Sequence, residues 1–529
     1  MTLVQAILIS IVYYFANSPW PSGGLGNYAT LYRPMVSGLI VGIILGDPVQ
    51  GTIIGATINL MYIGFIGVGG AMPADMSLAG VLGTALAISS GIDTNAALAI
   101  AVPLGLIGSI VWVGRMTLDS VFVRVAEKYA EEGKPEKVWI VNILLPQALL
   151  FAMTAIPCFI AAYFGTDLVA TVINALSGKF LGILSTIGGM LPAVGIGMML
   201  LSIFKGKARI YFFLGFFLSA YLGLGILPLA LIFLCVALLT TFNGEDFSDV
   251  ISTKSAEDKV RLLDKKTLTH AWWNWMYYFQ SCYNYERMQG IGFLHTMSPI
   301  ISKLYKDDPE GRKAAMFRSL EFFNTENATG SCVIGLVAAM EEQKANGAEL
   351  DDEAFSSIKT GLMGPVAGVG DTLWQGVVTP LMLAVFIGMA ADGNVFAPII
   401  YSVLFLALYN GFGYWLLKLG YEKGGDAILD LMESGIIKKV ITAASTLGCA
   451  VMGALVCNYV TLKCAITIPL SADNIFSLQA SFFDALLPGL LPLALTLGCY
   501  KLLKKGMESY KVIAIVVALA VVGGLVGIF

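Results

Sequence analysis

Apolar residues run through this chain in long blocks separated by short polar breaks, and several blocks reach membrane-crossing length. Trp139 to Phe164, Ile210 to Phe242, Leu381 to Leu417 and Val512 to Phe529 supply the roughly 20 apolar residues that cross about 30 Å of hydrocarbon. Thr2 to Ala16 is also apolar. With no basic stretch before it and no convincing small-residue cleavage site, it reads as a retained first membrane helix.

Glycine and proline interrupt the blocks at recurring places. In the second half the interruption is Gly364-Pro365-Val366-Ala367-Gly368-Val369-Gly370-Asp371. A helix is expected to break there, because glycine costs about 1 kcal/mol and proline about 3 kcal/mol in a helix interior. In a membrane the freed backbone groups must then be satisfied by protein, water or a ligand. The first half is interrupted at Gly42, Gly46, Asp47, Pro48, Gly51 and Gly55, and again at Gly64, Gly67, Gly69, Gly70, Pro73 and Asp75. Broken helices at corresponding places in two halves point to a transporter site near the bilayer midplane. Close packing through small-xxx-small faces is the other reading of Gly42, Gly46, Gly51 and Gly55.

Composition fits the same class, since 57% of 529 residues are apolar and 13% charged, against about 25% charged in soluble domains. Mean hydropathy is +0.78. The predicted fold class is all-α, a polytopic membrane protein with discontinuous or re-entrant helices in two halves. A net charge of −4 without a dense basic cluster excludes nucleic acid as a partner. Eight scattered cysteines with no C-x-x-C pair read as small core residues. Charge is concentrated in one place: residues 243–360 hold 18 of the 36 acidic and 13 of the 32 basic residues. The chain therefore divides into a transmembrane domain 1–243, a polar linker 244–266 and a second domain 267–529. The second domain is polar and aromatic over 267–360 and transmembrane over 361–529. Leu268 to Gln280, with three tryptophans, reads either as a headgroup-level segment or as a buried aromatic helix. Basic residues around Arg115 to Lys137, at Lys205 to Arg209 and in the linker place those segments on the cytoplasmic side.

The blocks GDPVQGTIIGATINLMYIGFIGVGGAMPAD, AIAVPLGLIG and LPAVGIGMMLLSIFKGK resemble the IIC subunit of the mannose/fructose/sorbose class of bacterial sugar phosphotransferase permeases. NYERMQGIGF, EFFNTENATG, VAAMEE and KTGLMGPVAGVGDTLWQG resemble its IID subunit. The family makes these as separate chains, whereas here a linker joins them. Asn59 stands where IIC subunits commonly carry an acidic residue. The resemblance implies a multi-pass protein of the bacterial inner membrane, not itself an enzyme, with no cofactor. Its partners would be a hexose, amino sugar or ketose, and a phosphorylated IIB protein charged by IIA. It further implies a homotrimer working by an elevator movement in which one half carries the site, and members of this family can also dock bacteriocins.

A sugar presents hydroxyls that donate and accept, so its site needs carboxylates, carboxamides and an aromatic face. Candidate binding residues in the first half are Gln50, Asn59 and Asp75. In the second half they are Asn284, Glu286, Gln289, His295, Asn324, Glu326, Asn327, Gly368, Asp371, Trp374 and Gln375. Asp75, Glu286 and Asp371 read either as site carboxylates, because an intramembrane charge is expensive, or as caps and ion-pair members. His295 lies in an apolar setting that favours a hydrogen-bonding role over phosphorylation. No Gly-Lys-Ser/Thr follows the glycines, so a nucleotide loop is excluded, and no metal constellation is apparent. The competing class is an ion-coupled secondary transporter, with Asp47, Asp75, Glu286 or Asp371 binding a proton or sodium.

Overall fold

The computed structural model describes residues 1–20, 22–65, 72, 74–175, 178–241, 261–433, 436–471 and 474–529. Linker residues 244–260, and Gly67, Gly69, Gly70 and Pro73 of the second interruption, lie outside the described residues. The described chain is helical apart from one antiparallel hairpin, Thr467–Ser471 with Asn474–Ser477.

Among the described residues, four helical stretches are long and apolar enough to cross a membrane: Thr94–Glu131, Pro135–Gly165, Asp352–Ala391 and Ala397–Gly424. Gln479–Leu486 and Leu490–Lys504 add a pair bent by 63°. Exposed Ile107, Ile110, Phe151, Ile160, Val403 and Leu408 put an apolar surface on the first, second and fourth of these stretches, as lipid-facing helices require. Two expected spans divide. The Ile210 to Phe242 block forms Ala208–Leu222 and Ile226–Thr241, turned at Gly223 where φ is 63°. The Leu381 to Leu417 block falls across Thr379–Ala391 and Ala397–Glu433, because Asp392-Gly393-Asn394 makes a turn with Gly393 at φ 88°.

The first interruption is a helical hairpin. Pro34–Leu45 and Pro48–Met61 have 12 and 14 residues, so they rise about 18 and 21 Å and fall short of a bilayer. Gly46 turns the chain at φ 89°, and Asp47 Oδ1 accepts the Gln50 N–H at 2.9 Å. The two arms touch through glycine: a Cβ on Gly38 would sit 2.7 Å from the Gly51 carbonyl oxygen, and one on Gly55 2.4 Å from that of Pro34. The second interruption differs from expectation. Helix Asp352–Gly370 runs through Gly364 and Pro365, widens to a π-helix over Asp371–Val378 and resumes as Thr379–Ala391. Here the backbone is accommodated by a change of pitch, and Gly370 lets a neighbour in: its Cβ would lie 2.7 Å from Glu326 Oε2.

The apolar interior does not follow the division of the chain. One core combines Met35, Ile58, Met61 and Leu200 with Leu383, Met452, Leu455 and Val512. A second combines Val123, Ala126 and Val141 with Trp275, Phe293, Phe323, Trp374 and Tyr409. A smaller cluster gathers Ile9, Tyr13, Val81 and Leu86. Helices Ala208–Leu222 and Ile436–Tyr459 join the halves at close range: a Cβ on Gly215 would lie 2.0 Å from the Ala450 oxygen, and one on Gly453 2.0 Å from the Phe212 oxygen. Gly453→Val should therefore destabilise the protein by about 1–3 kcal/mol or more. Gly498→Ala, in a helix where the new methyl meets nothing within 4 Å, should be neutral or gain up to about 1 kcal/mol. Thermal unfolding of the purified variants in detergent checks the contrast, and equal melting temperatures would contradict the packing described.

Candidate functional site

In the first half, polar groups gather around the start of helix Met76–Ser90. Asp75 caps it: Oδ1 accepts the Ser77 and Leu78 N–H groups at 2.9 and 3.0 Å and the Ser77 hydroxyl at 2.6 Å. Its Oδ2 accepts Tyr13 Oη at 2.6 Å. Across from it, glycines 105 and 108 leave space. A Cβ on Gly105 would lie 2.3 Å from Tyr62 Oη, and one on Gly108 2.6 Å from the Asp75 Cβ. Arg33, fully buried before Pro34, donates to the Tyr62 carbonyl at 3.3 Å and covers the Tyr28 ring at 4.9 Å. Asn59 Oδ1 accepts the Met35 N–H at 3.2 Å. Three buried donors here, Arg33 Nε, Asn59 Nδ2 and Tyr62 Oη, have no hydrogen-bond partner among the described residues. Each such donor costs about 1–3 kcal/mol if nothing polar reaches it.

In the second half the centre is Glu326, buried at the N-terminus of helix Asn327–Ala345. It accepts Ala328 and Thr329 N–H at 3.0 and 2.8 Å, the Thr329 hydroxyl, and Tyr409 Oη at 2.5 Å. The π-helix passes beside it. Asp371 Oδ1 takes Gln375 Nε2 at 2.7 Å. Trp374 packs edge-on to Tyr409 at 4.7 Å between centroids, with Nε1 buried and unpartnered among the described residues. Asn324 Oδ1 receives Tyr283 Oη at 2.8 Å. Gly368 faces open space, with no atom within 4 Å of its Cβ position.

Helix Ala397–Glu433 links the two centres. Tyr401 Oη donates to the Ala29 carbonyl at 2.7 Å in the first half, and Tyr409 reaches Glu326 in the second. Phe405 lies between, its ring 6.1 Å from Tyr401 and 5.4 Å from Tyr409. Eight residues of helix separate the tyrosines by about 12 Å.

Other candidates lie elsewhere. Gln50 sits in the first turn of the hairpin's second arm, nine residues and about 13 Å of helix from Asn59. Glu286 is exposed, 3.7 Å from Arg124. Asn284 closes a local turn, accepting Glu286 and Arg287 N–H. Gln289 pairs with the backbone of Thr325 through both amide atoms, at 2.8 and 2.9 Å. Asn327 donates to the Met276 carbonyl at 3.4 Å. His295 faces Asn142 Nδ2 at 3.1 Å across the two halves.

Sequence reasoning passed over Arg33, Tyr62, Tyr283 and Tyr409. Arg33 carried a signal, a guanidinium directly before an apolar helix; the tyrosines carried none. It read Arg115 only as a marker of the cytoplasmic side, yet its Nη2 donates to the Gln280 and Ser281 carbonyls at 2.9 and 2.8 Å and fixes the turn after helix Lys265–Tyr278 to the first half.

Residues 262–529 match the family model described as the PTS system mannose/fructose/sorbose family IID component, and residues 3–239 the one for the PTS system sorbose-specific IIC component. The mannose-specific EIID component of Escherichia coli K12 is 40% identical over 258 residues, 47% of this chain and 90% of its own length. The mannose-specific EIIC component of the same strain is 30% identical over 241 residues, 45% of this chain and 88% of its own. A cryo-EM structure of a mannose transporter in complex with microcin E492 is 36% identical, matching 52% of this chain and 99% of that one with a TM-score of 0.30.

His295 lies in helix Gly290–Leu304, outside the four spans, and burial pushes its imidazole down to about 3. An unfolded histidine titrates near 6.5. Between pH 6.5 and 3 the unfolded chain thus binds a proton that the folded chain refuses, and stability falls as pH drops, by up to about 1.4 kcal/mol per pH unit. His295→Gln should show a smaller loss of melting temperature between pH 7 and 4.5 than the parent; parallel profiles would contradict a buried neutral imidazole.

Proposed function

Because this chain belongs to the mannose/fructose/sorbose family of phosphotransferase-system permease components, with a IIC-type unit followed by a IID-type unit, we propose that it binds a sugar between those units and presents it to a phosphorylated IIB partner. The observation that carries this reading is the line of polar and aromatic groups from Asp75, Tyr62 and Arg33, past Tyr401 and Tyr409, to Glu326 and Trp374. Its unpartnered donors, Arg33 Nε, Asn59 Nδ2, Tyr62 Oη and Trp374 Nε1, suit the acceptor oxygens of a neutral sugar. The Trp374 and Tyr409 rings suit its C–H face, and the open backbone at Gly368 suits close approach.

The carboxylates divide into roles. Asp75 and Glu326 hold tyrosine hydroxyls and helix N-termini in place, which orients the pocket without presenting a free charge. Asp371, bonded to Gln375 on one oxygen, keeps its other oxygen for a sugar hydroxyl. Phosphorylation at the cytoplasmic face adds negative charge, which the Asp371 carboxylate repels, so the product does not rebind and uptake proceeds without an ion gradient. A rigid-body, elevator-like displacement carries the site between faces, and a homotrimer of IIC–IID units provides the fixed frame.

In proteoliposomes, sugar should accumulate only when phosphoenolpyruvate, the general phosphotransferase proteins and IIA/IIB are supplied on the cytoplasmic side; accumulation driven by an imposed proton or sodium gradient alone would refute the proposal. Trp374→Phe and Tyr62→Phe each delete one donor that no described protein group uses. Both should lower sugar affinity about tenfold, equal to about 1.4 kcal/mol, and leave stability unchanged or raised. Equilibrium binding and melting curves measure the two effects separately.

A further inference from the structure

A cavity of about 310 Å³ opens where the linker enters the second unit, and nothing in the sugar pathway uses it. Arg261, Lys265 and Lys418 stand on its rim, with Glu422 as the one carboxylate among them. Glu422 lies 3.9 Å from Arg261 and 3.7 Å from Lys418, which leaves two positive charges in excess. Lys265 has no ion-pair partner among the described residues. Below the charges the walls are apolar, formed by Leu263, Leu268 and Leu417.

The cavity is built rather than incidental. Buried Glu342 accepts the backbone N–H groups of Leu262 and Leu263 at 2.5 and 2.6 Å and the Tyr421 hydroxyl at 2.7 Å, so the segment carrying Arg261 is tied to two helices. Asp264 caps helix Lys265–Tyr278 through the Thr267 N–H at 2.8 Å and pairs with Lys303 at 3.1 Å. This fixes Lys265 beside it.

Its level is that of a bilayer surface. Lys418 and Glu422 occupy the end of the membrane-crossing stretch Ala397–Gly424. Tyr414 meets Trp272 edge-on at 5.3 Å, and Trp273, 43% exposed, stacks on Tyr277 at 3.9 Å. Tryptophan and tyrosine in such a cluster mark the headgroup region. Fixed cations over apolar walls at that depth match a phosphodiester with acyl chains leaving it.

We propose that this cavity is a binding site for the headgroup of an anionic glycerophospholipid. The phosphodiester sits between Arg261, Lys265 and Lys418, and the first acyl carbons lie on Leu263, Leu268 and Leu417. The lipid would anchor the linker's exit and the aromatic helix at one depth, an assignment independent of the sugar site.

Native mass spectrometry of the full chain, titrated with phosphatidylglycerol and phosphatidylcholine of identical acyl chains, tests it. The expected preference for phosphatidylglycerol is about tenfold or more, and it should be lost in Arg261→Gln/Lys265→Gln/Lys418→Gln. Leu268→Trp, which fills the cavity without altering charge, should lose it too. Equal phosphatidylglycerol binding by parent and triple variant overturns the site. Displacement of the lipid by millimolar inorganic phosphate assigns the cations to a soluble anion and overturns the lipid.

Discussion

Inside a bilayer every backbone N–H and C=O must find a partner within the protein, and that requirement decides where this chain stops being an α-helix. The hairpin at Gly46-Asp47 is tolerable because its arms are pressed against each other through Gly38, Gly51 and Gly55 and its turn is closed by the Asp47 carboxylate. The π-helix at Asp371–Val378 meets the same demand differently, keeping its backbone bonds while swelling by part of a turn. Irregularity of that kind recurs at functional sites, and here it turns Asp371, Trp374 and Gln375 toward the end of a neighbouring helix.

Buried charges obey a related rule. Removing an ion from water is costly, and an ion pair recovers that cost only with good geometry. Asp75 and Glu326 avoid the problem by serving as helix caps, where oriented N–H groups and the positive end of the helix stabilise the carboxylate. Arg115 and Arg33 do the converse, directing guanidinium N–H groups at backbone carbonyls. Since Tyr409, which completes the Glu326 cap, also lines the path between the two centres, helix stability and site geometry there rest on the same atoms.

The sequence made the membrane class, the two-unit organisation and the kinship legible, because block hydrophobicity and motifs are local properties. It also drew attention to both Gly-Asp interruptions. It misjudged the form of the second: a glycine-rich segment reads as a break whether the chain reverses, as at Gly46, or continues with a wider turn, as after Gly370. Only the approach of Glu326, 44 residues earlier in sequence, distinguishes the second case. Among the carboxylates, cap and site readings were left open. The geometry gives Asp75 and Glu326 the caps and Glu286 a surface ion pair, since capping depends on which backbone lies two or three residues onward. Arg115 was read only as a marker of the cytoplasmic side, although its bonding partners sit 165 and 166 residues away.

The distribution of the apolar interior bears on movement. Were one unit to slide as a body past the other, the contacts of Gly215 with Ala450 and of Gly453 with Phe212 would be torn, and Arg115, still paired with Asp119, would lose the Gln280 and Ser281 carbonyls. Both ruptures are expensive. The boundary between the two large cores leaves the Gly215 and Gly453 contacts intact, because Phe212 and Ala450 lie in the same core. Helix Ala397–Glu433 bridges that boundary, with Tyr401 in one core and Phe405 and Tyr409 in the other. The unpartnered donors also divide across it, Asn59 and Tyr62 with the first core and Trp374 with the second. A ligand bridging these groups would tie the two bodies together, and its release would free them. On this physical ground the elevator movement proposed above divides better between the two mixed cores than between the IIC-type and IID-type units.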